Sequence, residues 1–378
     1  MPDPGIRLQL LIGPTIPKPA PYQVVESLID IEIQQQDRDR SGFQITFSIG
    51  KNLKKSFKDY GLLLDGILDP PNRVIFMINL GVQPYILMDG IITHHQVIPS
   101  SQPGESRLIV TGEDISLKLD LEEKSETYEN QSDSAIVTRL LNKYRIDGLR
   151  PKVTSTISTY RPTVQDKITT QQETDLTFIQ RLAERNSFIF YIQPTKITTQ
   201  NIAYWGEEEE QMEPIQPALT MNMGAYTNVD TPITFAFDAL EAIKPQVEIV
   251  NPSTGVQIPV AVPTSSGQRL ASKPAKPLRQ TVLRNTDKLD KIPAKRLAES
   301  VASRSQKDTV IASGEVDTLR YGHILQVRRL VGVRGVGNTY DGNYYVKQVT
   351  HRIKRGEYKQ SFTLIREGQG TTTQRVKV

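Results

Sequence analysis

Apolar and polar positions alternate one by one through both ends of the chain and fall into a helical period only in between. In the first third, Val24–Ile33, Gly42–Ile49, Arg73–Leu80, Tyr85–His94 and Ser106–Thr111 are short, β-branched runs. Turn signals such as Asp69-Pro70-Pro71-Asn72 and Pro103-Gly104 separate them. Successive side chains of a strand point to opposite faces, so several half-buried runs at this spacing predict a small antiparallel barrel or sandwich. The far end, between Gly337 and Gly368, repeats the pattern. Tyr344, Val346, Gln348 and Thr350 alternate with Tyr345, Lys347, Val349 and His351, and Ser361, Thr363 and Ile365 with Phe362, Leu364 and Arg366. Gly356-Glu357 reads as the hairpin turn between these two runs, and further strands are expected over Thr231–Phe237 and Gln246–Ile249.

Two strong helical stripes lie between these β-rich ends. Ile136, Val137, Leu140 and Leu141 share one face of a helix over Asp133–Tyr144, with Ser132 or Asp133 as its N-cap. Leu176, Ile179, Leu182 and Ala183 do the same over Thr174–Arg185, with Thr174 or Asp175 as cap, and the aromatic run FIFYIQP (188–194) follows at once. Each helix is expected to cover a small sheet. A third helix, with Pro293 in its first turn, is predicted to about Ser305 on the thin stripe Ala294, Leu297, Ala298 and Val301. The segment SSGQRLASKPAKPLRQ (265–280) before it has the composition of an extended linker or mobile loop.

The resulting expectation is a mainly β protein with an α+β insert. It has a first barrel over 1–111, an insert over 112–223, and a second barrel from 224–262 and 306–367. A basic Pro/Ser-rich linker with a short helix (263–305) and a tail (368–378) complete it. Its 378 residues allow two or three such domains, each with its own core. No apolar run approaches the roughly 20 residues of a membrane helix, and the prolines and missing basic n-region of the opening predict no signal peptide.

Charge and cysteine content narrow the chemistry. With no cysteine there is no disulfide, zinc-thiolate site or thiol nucleophile. Forty-six basic against 42 acidic residues leave a net charge of +4, too small an excess to argue nucleic-acid binding. Of the four histidines, His94 and His95 are neighbours in a strand and point to opposite faces, which precludes a shared metal without a bulge. His323 and His351 read as single structural histidines on strands. Ser48-Ile-Gly-Lys51 has the spacing of a lysine-activated serine but lacks the companion elements, and Gly50 explains it as a turn. Gly332-Val-Arg-Gly335-Val-Gly337 lies between strands and does not open a helix, so its amides are not arrayed for a phosphate. No pair of carboxylates is singled out for hydrolysis. Glu207–Glu210 reads as a solvated loop, or as a contact for a basic partner.

From 266 to 304, Arg269, Lys273, Lys276, Arg279, Arg284, Lys288, Lys291, Lys295, Arg296 and Arg304 face only Asp287, Asp290 and Glu299. Without interleaved aromatics to stack bases, this reads as a solvated linker or a dock for an acidic protein neighbour. The expected catalytic, cofactor-binding and metal site residues are therefore none.

Three blocks carry a family resemblance: Thr111–Asp120 leading into the helix at Asp133–Tyr144; Gln172–Asn186; and Gly342–His351 with Tyr358–Arg366. In this order they resemble the phage late control protein D family, the baseplate hub of contractile tails and contractile injection systems. Its relatives include the hub part of type VI secretion VgrG spike proteins. The resemblance implies two similar β-barrels per subunit and a ring-shaped homotrimer of six barrel positions, adapting a six-fold tail tube to a three-fold spike, with the insert hanging toward the spike. It implies as partners the spike protein, the inner tube or tube-initiator proteins and other baseplate proteins, in a particle assembled in the bacterial cytoplasm. It implies a structural protein with no enzymatic activity and no cofactor. Neither a lysozyme-like region nor a glycine-valine spike repeat follows Val378, so cell-wall cleavage and puncture are expected from other chains. A tail-tip cell-wall hydrolase or peptidase is the alternative, which a cleft carboxylate pair would mark. A carbohydrate- or nucleic-acid-binding β protein would need an exposed aromatic platform, which a single tryptophan, Trp205, supplies poorly.

Overall fold

The computed structural model describes residues 5–50, 60–81, 83–102, 104–156, 168–208, 215–250, 257–260, 269–283 and 291–372. The N-terminal portion contains β1 (Arg7–Gly13), β2 (Lys18–Pro19), α1 (Tyr22–Glu26), β3 (Leu28–Gln36), β4 (Gly42–Ser48), α2 (Gly61–Leu64), β5 (Arg73–Leu80), β6 (Gln83–Ile98) and β7 (Arg107–Asp114). The middle holds β8 (Glu123–Tyr128), α3 (Asp133–Lys143), β9 (Leu149–Val153), β10 (Thr169–Thr174), α4 (Asp175–Arg185), β11 (Ile189–Pro194) and β12 (Asn201–Gly206). Then come β13 (Gln216–Thr220), β14 (Thr234–Phe237), β15 (Ile243–Val250), β16 (Gln257–Val260), β17 (Ala271–Pro274), β18 (Arg279–Val282) and α5 (Lys291–Lys307). β19 (Val310–Asp317), α6 (Thr318–Tyr321), β20 (Leu330–Arg334), β21 (Gly342–Lys354), β22 (Glu357–Arg366) and β23 (Gly368–Thr371) close the chain.

The chain is mainly β, as expected, but none of the described sheets closes into a barrel. One 13-stranded sheet runs in the order β14-β19-β22-β21-β3-β4-β7-β6-β5-β1-β2, with β20 and β13 continuing from β21 as a branch. The physical reason is the pairing of β3 with β21. Ile31 lies opposite Ile353 and Ile33 opposite His351, so the edges that would have closed two separate barrels are spent on joining the halves. Each half still wraps its own core. Ile31, Ile33, Ile45, Phe47, Phe76 and Val110 centre one, and Val310, Ala312, Tyr344, Val346 and Leu364 the other. β13, inside the segment expected to be insert, pairs in parallel with β20 and so belongs to this sheet.

The strict alternation expected of β21 breaks at its start, where Tyr344, Tyr345 and Val346 are all buried. Tyr344 and Val346 face the second core, while Tyr345 is covered on the opposite face by Leu270, Leu330 and Ile365. A bulge between Val346 and Gln348 then leaves Lys347 without a register partner on β22. Leu270 belongs to the predicted mobile linker, which needs correction over the described residues 269–283. β17 pairs with β23, and Glu367 Oε1 accepts from the amides of Leu270 (2.5 Å) and Ala271 (2.7 Å). Residues 263–268 and 284–290, which include Arg284 and Lys288, lie outside the described residues.

The insert follows its sequence closely. Ser132 Oγ accepts from the amide of Ala135 and Thr174 Oγ1 from that of Thr177, which caps α3 and α4 and satisfies otherwise orphaned donors. Their apolar stripes lie against the β11-β12-β9 sheet around Trp205, which is fully buried. The indole Nε1 donates to Ile179 O at 3.2 Å, and Phe188 meets its ring edge-on at 4.8 Å.

Candidate functional site

The residues weighed for chemistry stand apart from one another. His94 and His323 are exposed, and His323 follows α6 in a loop, not on the expected strand. His95 is half-exposed beside Asp69 (3.7 Å). The β6–β7 register shifts between Ile92 and His94, a bulge the sequence did not announce. His351 is fully buried between the Tyr358 hydroxyl (2.9 Å from Nδ1) and Gln35 Oε1 (3.2 Å from Nε2), and burial pushes its pKa down to about 3. It is a neutral core histidine. Ser48 Oγ donates to Gly104 O at 3.3 Å, and Lys51 lies outside the described residues. Gly335 and Gly337 have φ of +83° and +97°, the left-handed region that turns favour, at the end of β20. No group of three or more His, Asp or Glu among the described residues is placed to hold a metal, and no described helix is long and apolar enough to cross a membrane.

Charge gathers instead where the sheet, the insert and α5 meet. There the expected solvated loop at Glu207–Glu210 is corrected at Glu208, while Glu209 and Glu210 lie outside the described residues. Glu208's side chain is only 11% exposed, paired with Arg38 (3.0 Å) and with Lys307. Burial alone would raise its pKa, but the two cations overcome burial and hold it down to about 2. The basic partner of this acidic residue is the chain itself. Asp37 stands beside it at the end of β3. Its amide donates to Lys347 O at 3.0 Å, across the β21 bulge, and Lys347 Nζ reaches Asp308 at 2.8 Å. Burial raises Asp37 to about 6, against the lowering field of Arg38 and with a further push from the like charge of Glu208. These residues surround a cavity of about 320 Å³ with Arg304 and Glu184 on its wall. Arg296, from the supposed linker charges, docks on the insert. Its backbone carbonyl accepts from Ser187 Oγ at 2.5 Å, and its Nη1 stands 3.4 Å from Asn186 Oδ1.

A second polar joint ties the insert to β5 and β6. Arg73 grips Asp89 with two 2.6 Å hydrogen bonds, and Asn201 Nδ2 donates to the same carboxylate at 2.8 Å. All three are buried. Arg40 pairs with Glu113 and Asp120, continuing the lock toward the insert. A buried, hydrogen-bonded ion pair such as Arg73–Asp89 fixes geometry: removing one partner strands the other charge, at about 3–5 kcal/mol. None of them aligns a nucleophile with a base. Sequence reading missed Asp37, Arg38 and Lys307, the groups that Glu208 of the acidic run meets; the signal available was the run Asp37-Arg38-Asp39-Arg40 directly after a strand, denser in charge than a turn needs.

A family model described as the Alg8 N-terminal domain matches residues 65–239. That is under half of the chain, from before β5 to just past β14, and it cuts across the sheet and the insert alike. No curated protein matches the chain. Solved structures do, along nearly its whole length. The tail protein from Neisseria meningitidis MC58 is 12% identical, with 97% of this chain and 98% of that one covered at a TM-score of 0.64. The 43 kDa tail protein of prophage MuSo2 from Shewanella oneidensis is 12% identical, with 96% and 99% covered at 0.63. The E. coli c3393 protein, a type VI secretion component described as structurally similar to T4 tail proteins, is 15% identical, with 92% and 76% covered at 0.55. At such identities the likeness is one of fold.

Proposed function

We propose that this protein is a structural, non-enzymatic subunit of a contractile phage tail or tail-like injection particle. In this reading it is the baseplate hub, a homotrimer that adapts the six-fold tube to the three-fold spike. The observation that carries the reading is the end-to-end fold match to two tail proteins of nearly the same length. Two sheet halves with separate cores, joined rigidly through β3 and β21, suit a subunit that offers two similar positions to a ring. In a closed cyclic trimer every heterologous contact is made three times, so modest contacts sum to a firm platform. The locked charge joints suit it too, because a symmetry adapter needs fixed angles between its parts. Spike, tube or tube-initiator and baseplate proteins are the partners this role requires. A further structural neighbour is a chain of the Francisella PdpA-VgrG complex, an assembly that joins a VgrG protein to another component. Negative-stain imaging of the purified protein with a candidate spike tests the proposal. Three-fold ring views are expected, and single compact particles with spike chains unattached would contradict it.

A further inference from the structure

The two halves of the large sheet repeat one another strand for strand. The order β3-β4-β7-β6-β5-β1 in the first is matched by β14-β19-β22-β21-β20-β13 in the second. Their irregularities coincide as well. β6 slips against β7 between Ile92 and His94, and β21 against β22 between Val346 and Gln348, which makes His94 the counterpart of Gln348. At the slip, the Ile92 amide donates to Asn72 O at 2.9 Å and the Val346 amide to Arg329 O at 3.0 Å, each acceptor standing just ahead of the adjacent strand, β5 or β20. The halves differ at their far strands, where β1 runs antiparallel to β5 and β13 parallel to β20.

The halves are joined where β21, past its bulge, lays Gln348–Lys354 along β3. The counterparts of these two edges are open. Past its own bulge β6 pairs with β7 on one side, and no strand among the described residues pairs with His94–Ile98 on the other. β14, the counterpart of β3, ends the sheet and pairs only with β19 among the described residues. The Asp238 amide donates to Thr309 O, so by the alternation of an antiparallel ladder Thr234 and Ala236 also turn their backbone groups to β19, while Phe235 and Phe237 turn theirs outward. An open edge of this kind is a template for another strand. The two edges do not meet within one chain, because β19, β22, β21, β3, β4 and β7 lie between them.

We propose that the β6 edge of one copy pairs with the β14 edge of the next, repeating between chains the joint that β21 and β3 make within one. The inference rests on the trimeric reading and names the contact that builds the trimer. Its register follows from the repeat. Ile98 and Arg352 hold matching places, opposite Arg107 and Lys359, and the ladders through β4 and β19 make Thr234 the counterpart of Glu32, which faces Arg352. Ile98 therefore lies opposite Thr234 of the neighbouring copy, Gln96 opposite Ala236, and His94 opposite Asp238, an imidazole against a carboxylate. Ile98 and Phe237, each 43% exposed in the single chain, lie within this joint. The contact is heterologous, with different surfaces on its two sides, and so generates a ring when the rotation closes.

Because the chain has no cysteine, introduced pairs report without background. Gln96 and Ala236 are exposed, so Gln96→Cys and Ala236→Cys leave the cores intact, and residues directly opposite on paired strands stand within disulfide reach. Mild oxidation of the full-length double variant, alone or with the spike protein present, is expected to give linked species of two and three chains on a denaturing gel, lost on reduction. A mixture of the two single variants should link in pairs while neither variant links by itself. Light scattering of the same samples before oxidation separates the two ideas. A trimer whose double variant stays unlinked, or links equally well when Phe237→Cys replaces Ala236→Cys and so moves the thiol to the other face, overturns the edge pairing and leaves the trimer standing. An unlinked monomer overturns both.

Discussion

Asp37 and Glu208 share one cleft yet answer pH in opposite senses. Asp37 is raised to about 6 from an unfolded value near 3.8. The folded state therefore holds its proton more tightly, and that stabilisation is complete below 3.8 and lost as pH rises through about 6. Above pH 6 the buried charge costs about 3 kcal/mol, two pH units at 1.36 each. Asp37→Asn should thus be more stable than the parent at pH 8, by up to that amount, with the difference vanishing near pH 4 in urea titrations; a pH-independent difference would refute the assignment. Glu208, lowered to about 2, stabilises above 4.5 and loses that contribution as pH falls toward 2. Glu208→Gln should cost about 3–5 kcal/mol at pH 7, because Lys307 is left without its anion and Arg38 keeps only Asp37, at 3.7 Å. His351, held neutral near 3, contributes above 6.5 and loses stability below it, opposing Asp37, so the parent alone hides both. At this scale the sequence was partly legible. His351 read correctly as a structural histidine because a lone histidine in an alternating strand has few other uses. Glu208 read wrongly because its two cations come from positions 170 and 99 residues away, and no local pattern names them.

Secondary-structure elements were more legible, since their signals are local. β5 has the predicted limits, α3 and α4 begin within a residue of theirs, and the capping serine and threonine act as their types dictate. Leu182, fully buried in the insert's core, gives the test: Leu182→Asp should unfold the insert, because an unpaired carboxylate there costs several kcal/mol. Loss of the buried Trp205 fluorescence signature would report it, and an unchanged melting curve would remove the assignment. The segment around β17 was misread because its Pro, Ser and Lys content describes a linker while only three side chains, Leu270, Ala271 and Ala275, bury it. Besides its ladder with β23, its anchor is one carboxylate far along the chain. Glu367→Ala should free the strand and accelerate tryptic cleavage after Arg269, with little change in global melting; equal cleavage rates in parent and variant would show that the strand is held by other means.

For the whole molecule, the sequence conveyed the order of strands, helices and strands but not their closure. Whether a strand closes its own barrel or joins another half depends on pairings such as β3 with β21, more than 300 residues apart, which alternation cannot encode. The outcome is a single sheet spanning two cores, with an insert tied to it by the Arg38–Glu208 pair and by the hydrogen bond of Asn201 to Asp89, in a fold shared with tail proteins. The role we propose for this unit is that of a trimeric hub. The most direct test is its mass by light scattering over a range of concentrations, alone and with a candidate spike protein. A mass of three 42.5 kDa subunits is expected, alone or once the spike is added. A monomer under both conditions would contradict it.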